Sequence, residues 1–451
     1  MSASTPFAGD TIFAVASGAG RAAIAVLRVS GPATKQIVES VAGLLPKPRM
    51  AALKTFRDPA TGEAIDRGFV VFFPAPKSFT GEDYAEFHIH GGRAVVASMI
   101  EAVGHICGTR PAEPGEFTRR ALLNGKMDLA EVEGLGDLIN AETELQRRAA
   151  LRQAEGVLGR EAQIWRSALI EAAALLEAEI DFPEEEGVSG SVGRQRVCTL
   201  LAPVFASLNS ELAIARAGEY LRDGVNVVIA GPPNVGKSTL LNALARRDVA
   251  IVSPLAGTTR DIIEIHFDLG GCPVTLIDTA GLRDSADAVE EIGIFRAREK
   301  VQTADLVLWL SEAAAPVPPE AVPPEAQSGE VWPIFTKSDL LAPAEGEGFC
   351  QGLRISAKTS ENVDLLIKKM EDFARATLGN GHTGLIARER HRQCFEAAAL
   401  ALSRILDNPD APAELLAEDL RLAMFSLQRL TGAVDIEDIL GEIFARFCIG
   451  K

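Results

Sequence analysis

No stretch of this sequence looks apolar over the roughly 20 residues that crossing a bilayer requires. Its most apolar runs, Val225–Ala230 and Leu306–Leu310, have the length of strands, and no membrane partner is expected. The N-terminus lacks a basic segment followed by an apolar run, so no secretory signal is expected either. Also missing is any CxxC or other ligand-like spacing among the six cysteines, at 107, 198, 272, 350, 394 and 448. Structural disulfides and a zinc site are therefore not expected, a pattern that fits a reducing cytosol. Five of the six read as small core residues, with Cys448 set apart below. Positive charge is short: 45 Lys and Arg against 62 Asp and Glu leave a net charge of −17. That balance argues against a whole-surface nucleic-acid binder, because neutralising phosphates takes cations. Local basic patches remain at Arg119 and Arg120, at Arg147 and Arg148 with Arg152, and at Arg388, Arg390 and Arg392. Each alone reads more readily as a solvated helix face.

What is present is enough chain for about two to four domains, since 451 residues exceed one hydrophobic core. The first 120 residues are rich in strand and turn signals, with Ile24–Val29 and Gly68–Phe73 bounded by Gly and Pro. Helical periodicity then takes over. Leu158, Trp165, Leu169, Leu176 and Ile180 share one stripe, and Cys198, Leu201, Phe205, Leu208 and Leu212 a second, with a polar break from Asp181 to Gly187 between them. From Val225 the pattern is α/β, with strands expected at Val225–Ala230, Ile262–Leu269, Val274–Ile277, Asp305–Leu310 and Val331–Phe335. The stretch Ala313–Gly329 reads as a surface loop. Beyond about residue 380 the chain is helical again, with apolar repeats through Leu416, Leu420, Leu427 and Leu430. Helix before and after an α/β module suggests that the module is inserted into one helical domain.

Inside that module Gly231, Gly236, Lys237 and Ser238 keep the spacing GxxxxGKS between a strand and a helix. The glycines let backbone N–H groups, including those of Asn234, Val235 and Thr239 nearby, close around phosphates. Lys237 brings charge to the terminal phosphates, and Ser238 offers a hydroxyl to Mg2+. Further elements follow in order. Ser253, Pro254, Leu255, Ala256 and Gly257 lead into Thr258 and Thr259, where Thr259 is placed to be the second protein ligand of Mg2+. Asp278, Thr279, Ala280 and Gly281 end a strand, with Asp278 towards the metal shell and Gly281 N–H towards the γ-phosphate. Thr336, Lys337, Ser338 and Asp339 close another strand, where the Asp339 carboxylate can accept both guanine N–H bonds. Adenine lacks those donors, so GTP is selected over ATP. Ser356, Ala357 and Lys358 fit the loop that covers the base. Two positions depart from the general GTPase pattern. Thr336 stands where Asn is usual, and a hydroxyl can replace only part of an amide's bonding. Leu282 stands where many GTPases have a water-orienting Gln, so another group and another charge must substitute if hydrolysis is to be appreciable.

The chain resembles, end to end, the tRNA-modification GTPases of the MnmE (TrmE) family. Beyond the nucleotide motifs the resemblance rests on Gly20 and Arg21, on Leu27 to Gly31, on Phe79 to Asp83 leading to His90 and Gly92, and on Pro114 to Phe117. Asn124 to Leu129, Asp181 to Pro183 and the terminal Cys448 to Lys451 complete it. It implies an α+β folate-binding and dimerisation domain at 1–120, a discontinuous helical domain at 121–220 and 379–451, and an inserted Ras-like P-loop G domain at 221–378. The overall fold class is thus multi-domain, α/β with all-α. It further implies that K+ takes the place of an arginine finger, held by Asn234 and by backbone oxygens of Ser253, Leu255 and Thr258. Glu290 would orient the attacking water; from the residues alone, Glu290 and Glu291 read as an acidic pair at a helix start. Arg28, Glu86, Lys126 and Lys451 match positions near a tetrahydrofolate derivative (5,10-methylene- or 5-formyl-), although each alone reads as an ordinary surface charge. Cys448, close to the end, is implied to be functionally important, its chemical role left open. The implied assembly is a cytoplasmic homodimer working with the FAD protein MnmG on tRNA, installing (carboxymethyl)aminomethyl at C5 of the wobble uridine. Two alternatives stay open at this point: a GTPase switch in ribosome assembly, and a folate-dependent aminomethyl-transfer enzyme regulated by GTP.

Overall fold

The computed structural model describes residues 9–18, 20–181, 191–247, 249–251, 264–278, 304–317, 329–341, 352–379, 384–432, 447 and 450, with Ser191, Glu264 and Asp278 described by their backbone alone. The chain divides into two compact units, Met1–Gly136 with Gln428–Lys451, and Asp137–Leu427.

In the first unit, β1 (Thr11–Val15), β2 (Ala22–Ser30), β3 (Ala52–Arg57), β4 (Ala64–Phe73), β5 (Tyr84–Gly91) and β6 (Thr109–Pro111) form one sheet in the order β3-β4-β5-β2-β1-β6. Along β2 and β5 buried and partly exposed residues alternate, the period-2 pattern of a sheet with one packed face. That face, with Leu27, Val29, Phe87 and Ile89, packs on α1 (Thr34–Ala42) and α2 (Arg93–Gly104) through Ile37, Val38, Met99 and Val103. A second cluster of Ile12, Ala14, Tyr84 and Phe117 seats α3 (Glu116–Leu123). α4 (Leu129–Asn140) begins with a reciprocal cap: Glu131 N–H donates to Asp128 Oδ1 and Asp128 N–H to Glu131 Oε2, both at 2.7 Å.

The second unit holds α5 (Glu144–Ala154), α6 (Val157–Asp181), α7 (Ser191–Asp223), α10 (Glu389–Asp407) and most of α11 (Ala413–Thr431). Trp165 on α6 meets Phe395 on α10 edge to face at 5.4 Å, so helices from both ends of the chain share one core. The same unit carries the sheet β7 (Val225–Ala230), β8 (Ala250–Ile251), β9 (Glu264–Leu269), β10 (Cys272–Asp278), β11 (Leu306–Glu312), β12 (Glu330–Thr336) and β13 (Leu353–Arg354), with α8 (Lys237–Ala245) and α9 (Val363–Leu378). Its order is β13-β12-β11-β7-β10-β9-β8, parallel from β13 to β10 and antiparallel at β9 and β8. β7 lies between β11 and β10 and is buried at all but one position, as a parallel strand covered on both faces must be. The loop following its C-terminal end is therefore where ligands of such sheets bind.

Four expectations need correction. α7 carries a segment, Val192–Asp223, that is by length and mean hydropathy apolar enough to cross a membrane, so the apolar runs are not all strand-length. Its buried residues Val197, Leu201, Val204, Leu208 and Ala215 define a stripe packed in the helical core. Leu201 and Leu208 lie on it as expected, whereas Cys198, Phe205 and Leu212 are only half-buried and Val197, Val204 and Ala215 are packed instead. Cys107 is exposed and Cys198 half-buried, so only Cys272 and Cys394 among the described cysteines are core residues; Cys350 lies outside the described residues. The basic clusters are also largely neutralised. Arg119 pairs with Glu113, Arg147 and Arg148 with Glu144, Arg388 with Asp137, and Arg392 with Glu219, Glu389 and Glu396. Arg120 is not on the surface at all: it is 4% exposed and bound to Glu82 and Glu116.

Candidate functional site

The phosphate loop turns on two glycines with different reasons for being glycine. Gly231 has φ +146°, and a Cβ there would stand 2.2 Å from Leu310 O on β11. Gly236 has φ +98° and caps α8, whose first turn carries Lys237, Ser238 and Thr239. Their N–H groups face outward at a helix N-terminus, which favours an anion. Lys237 Nζ donates to Gly231 O (2.8 Å) and Pro232 O (2.9 Å), lying across the loop it serves. Asn234 adopts φ +62°, a left-handed conformation that short polar side chains tolerate, and it is exposed. Ser238 is exposed too, so its hydroxyl is accessible to a cation, and the donor set suits Mg2+, which takes oxygen ligands.

The base-reading element is tied to this loop by the residue that departs from the usual pattern. Thr336, 4% exposed at the end of β12, places Oγ1 2.6 Å from Val235 O and 3.1 Å from Ser311 O. Lys337 next adopts φ +58° and pairs with Glu312. Ser338 Oγ donates to Glu361 Oε2 at 2.8 Å. Asp339 receives Ser356 Oγ at 2.7 Å, and the same oxygen of Ser356 accepts Thr359 N–H at 3.2 Å. The structure thus brings together Asn234, Val235, Gly236, Lys237 and Ser238 with Thr336, and Asp339 with Ser356, Ala357 and Lys358 following in the same loop. Asp278 stands at the end of β10 beside Ile229 of β7. Ser253, Pro254, Leu255, Ala256, Gly257, Thr258, Thr259, Thr279, Ala280, Gly281, Leu282 and Glu290 lie outside the described residues. So do Cys448 and Lys451.

In the first unit Arg28 on β2 and Glu86 on β5 face each other in register, with Nε 3.4 Å from Oε1. Glu86 also accepts from the Tyr84 hydroxyl at 2.9 Å and lies 3.4 Å from His88 Nε2. Burial, above all, raises the Tyr84 phenol far above its ordinary range, so it stays a neutral donor. The Arg28 guanidinium sits over the Phe79 ring at 5.8 Å, and Nη1 reaches Gly450 O at 3.4 Å. Gly450 has φ +99°, and a Cβ there would stand 2.3 Å from Val15 O, so Gly450 is seated against the end of β1 by a contact that needs a glycine. Lys126 packs beside Gly81, two residues from Phe79, and lines a cavity of about 530 Å³ together with Asp128 and Glu131.

The loop between β4 and β5 that carries Phe79 and Gly81 rests on a buried ionic chain invisible to motif reading. Ser30 Oγ lies 2.7 Å from both Thr80 Oγ1 and Glu82 Oε2. Arg120 Nη1 binds Glu82 at 3.0 Å and Asp10 O at 3.0 Å, its Nη2 binds Glu116 at 3.1 Å, and Arg110 clasps Glu116 from the other side at 2.6 Å. Burial works against the Glu116 charge, yet the hydrogen bonds from Arg110, the Glu113 backbone and Arg120 hold its carboxyl below the usual range. Glu82 and Glu116 fall inside the stretches Phe79 to Asp83 and Pro114 to Phe117 that carry the resemblance, but the sequence does not show that they pair with Arg120, which reads as surface charge.

Comparison with known proteins identifies the family. The family model described as "MnmE helical domain" matches residues 129–448, and that of "GTP-binding protein TrmE N-terminus" matches 11–126. A "tRNA modification GTPase MnmE" of Beijerinckia indica is 59% identical over 98% of this chain and 96% of its own. One of the same name from Rhodopseudomonas palustris (strain BisB5) is 50% identical, covering 98% and 99%. A crystal structure of Aquifex aeolicus Era aligns at 24% identity over 39% of this chain and 66% of its own, with a TM-score of 0.27.

Proposed function

This chain belongs to the MnmE family of tRNA modification GTPases, and we propose that its GTP hydrolysis is K+-dependent and drives one-carbon transfer to a tRNA wobble uridine. The phosphate loop and Thr259 hold Mg2+-GTP, and Asp339 reads the guanine. Asn234 and the oxygens of Ser253, Leu255 and Thr258 enclose K+, and Glu290 orients the attacking water. The fit of K+ is supported by Asn234, whose left-handed backbone leaves a polar side chain exposed in the middle of the phosphate loop. A monovalent cation there offsets negative charge developing at the β–γ bridge, the task left undone where Leu282 replaces a catalytic Gln.

In the first unit Arg28, Glu86, Lys126 and Lys451 bind a tetrahydrofolate derivative, which supplies the one-carbon unit. The observation that supports this reading is the contact of Arg28 with Glu86, the Phe79 ring and Gly450 O, which brings Gly450 to the same spot. Cys448, two residues before Gly450 in the sequence, takes part in the reaction. The working assembly is a cytoplasmic homodimer with the FAD protein MnmG and tRNA, and the product is (carboxymethyl)aminomethyl at C5 of the uridine. The domain scheme that goes with it is a folate-binding domain at 1–120, helices at 121–220 and 379–451, and the G domain at 221–378.

The deciding experiment measures hydrolysis by the full chain in K+ and in Na+, with and without Asn234→Ala. Stimulation by K+ that disappears in the variant, while GTP affinity stays within about 3-fold, is the expected outcome. Equal rates in both cations for the unaltered protein sink the cation reading.

A further inference from the structure

Within the second unit the chain passes twice between helices and nucleotide-binding sheet. One crossing is the end of α7, which runs through Gly224 into β7; the other is 384–388, which leads into α10. The two crossings touch. A Cβ on Gly218 would stand 2.0 Å from Ile386 O, and Leu385 N–H donates to Glu211 at 2.6 Å. α5 forms the third side: Gln146 Nε2 donates to Arg222 O at 3.1 Å, while Leu145 and Ala149 pack on the core of the sheet. Between these three lies a cavity of about 190 Å³.

Much of its wall is apolar, with Ala149, Ala150, Val157, Leu158, Leu221 and Ile386. The charges at its edge balance. Arg222 pairs with Asp137 at 3.4 Å and Asp223 at 3.1 Å, and Arg152 is the remaining cation of the lining. One polar group breaks the pattern: Gln153 is 9% exposed, and its Nε2 has no hydrogen-bond partner among the described residues. A buried amide donor without an acceptor is costly, and a carbonyl oxygen delivered into the cavity removes that cost. Size also fits, because an apolar cavity of about 150 Å³ admits a benzene-sized molecule.

We propose that this cavity is a binding site for a small, uncharged, single-ring molecule that offers a carbonyl oxygen to Gln153. Charged ligands are disfavoured because the edge has no excess of either sign. An occupant touches α5 and both crossings at once, so it ties together the three segments through which the G-domain sheet is attached to the helices.

Full-length protein with labelled Ile and Leu methyl groups is titrated with benzamide, and separately with toluene, which has similar size and no acceptor. Benzamide should shift the methyl resonances of Leu158, Leu221 and Ile386 and bind about 2- to 10-fold more tightly than toluene, the range of one hydrogen bond. Gln153→Met keeps the volume and removes the donor, and should bring benzamide down to the toluene level. Ala150→Leu fills the cavity and should abolish the shifts of both probes. GTP binding monitors folding of each variant, and Gln153→Met decides the matter if Ala150→Leu does not fold. The proposal is overturned if the methyl groups do not respond, if the two probes bind alike, if benzamide keeps its advantage over toluene in Gln153→Met, or if the shifts survive Ala150→Leu.

Discussion

Thr336 Oγ1 lies 2.6 Å from the carbonyl oxygen of Val235, joining the residue that opens the base-reading element to the middle of the phosphate loop. The hydroxyl stands where GTPases usually carry an amide, and it does structural work there, with Ser311 O also in reach at 3.1 Å. On the proposed reading guanine selection is thereby left to Asp339, which is braced by Ser356.

Thr336→Val keeps the shape and removes the single hydroxyl donor, so the buried hydrogen bond to Val235 O is lost. The expected cost is about 1–3 kcal/mol of stability, with GTP and GDP affinities reduced alike. Nucleotide titrations and thermal unfolding check it. Weakened binding of GTP alone would contradict a role in holding the loop.

Asp339→Asn exchanges a double acceptor for one donor and one acceptor. Xanthine presents an oxygen where guanine has its amino group, so the variant should prefer XTP and lose GTP by about 100-fold or more, as a buried mismatched polar pair does. Competition binding measures the ratio, and retained GTP preference would mean that another group reads the base.

Asp128 caps α4 through Glu131 N–H, and burial, reinforced by repulsion from Glu131 and Glu133, pushes its pKa up to about 6. The unfolded chain holds it near 3.8. A raised carboxylate pKa means that the favourable protonated state is fully present below about pH 4 and is lost as pH rises through about 6. Asp128→Asn keeps a capping oxygen without the charge. It should therefore stabilise the first unit by about 1–3 kcal/mol at pH 7.5 and give no advantage at pH 3.5, in denaturant titrations at both pH values. Equal effects at the two pH values would show that the charge is not the cause.

Gly450→Ala adds a Cβ 2.3 Å from Val15 O at φ +99°. The terminal segment should leave its seat, so tRNA modification should fall at least about 10-fold while K+-stimulated GTP hydrolysis stays unchanged, as it should in Cys448→Ser. Mass analysis of tRNA nucleosides reads the first and phosphate release the second. Normal modification in Gly450→Ala would separate the segment from the chemistry.

The nucleotide motifs were legible because their function is local. A strand end, a glycine with positive φ and a helix N-terminus are all encoded within about ten residues, and the sheet β13-β12-β11-β7-β10 only arranges them. Strand positions were legible for a similar reason, since β7 and β11 are runs of buried apolar residues in a sheet covered on both faces. α7 was harder to read: over 33 residues its apolar positions are interrupted by Pro203 and small residues, and the packed stripe keeps Leu201 and Leu208 but takes Val197 and Val204 in place of Cys198 and Phe205. The arginine doublets misled because charge type says nothing of partner. Arg120 is a core residue only because α3 folds against the loop holding Glu82, 38 residues away in the chain.

By itself, then, the sequence determined that this chain is a GTPase and to which family it belongs, and it marked Gly231, Gly236, Lys237, Ser238 and Asp339 as the candidate residues for GTP. Short contiguous patterns carry that information directly into backbone geometry. Only the tertiary structure decided that Thr336 holds the phosphate loop, 101 residues from its partner. It alone set Arg28 across from Glu86 and against Gly450, and it alone left Gln153 without an acceptor in a cavity between three segments. Those relationships depend on strand register and on helix packing between distant parts of the chain, and neither is written in any one stretch of residues.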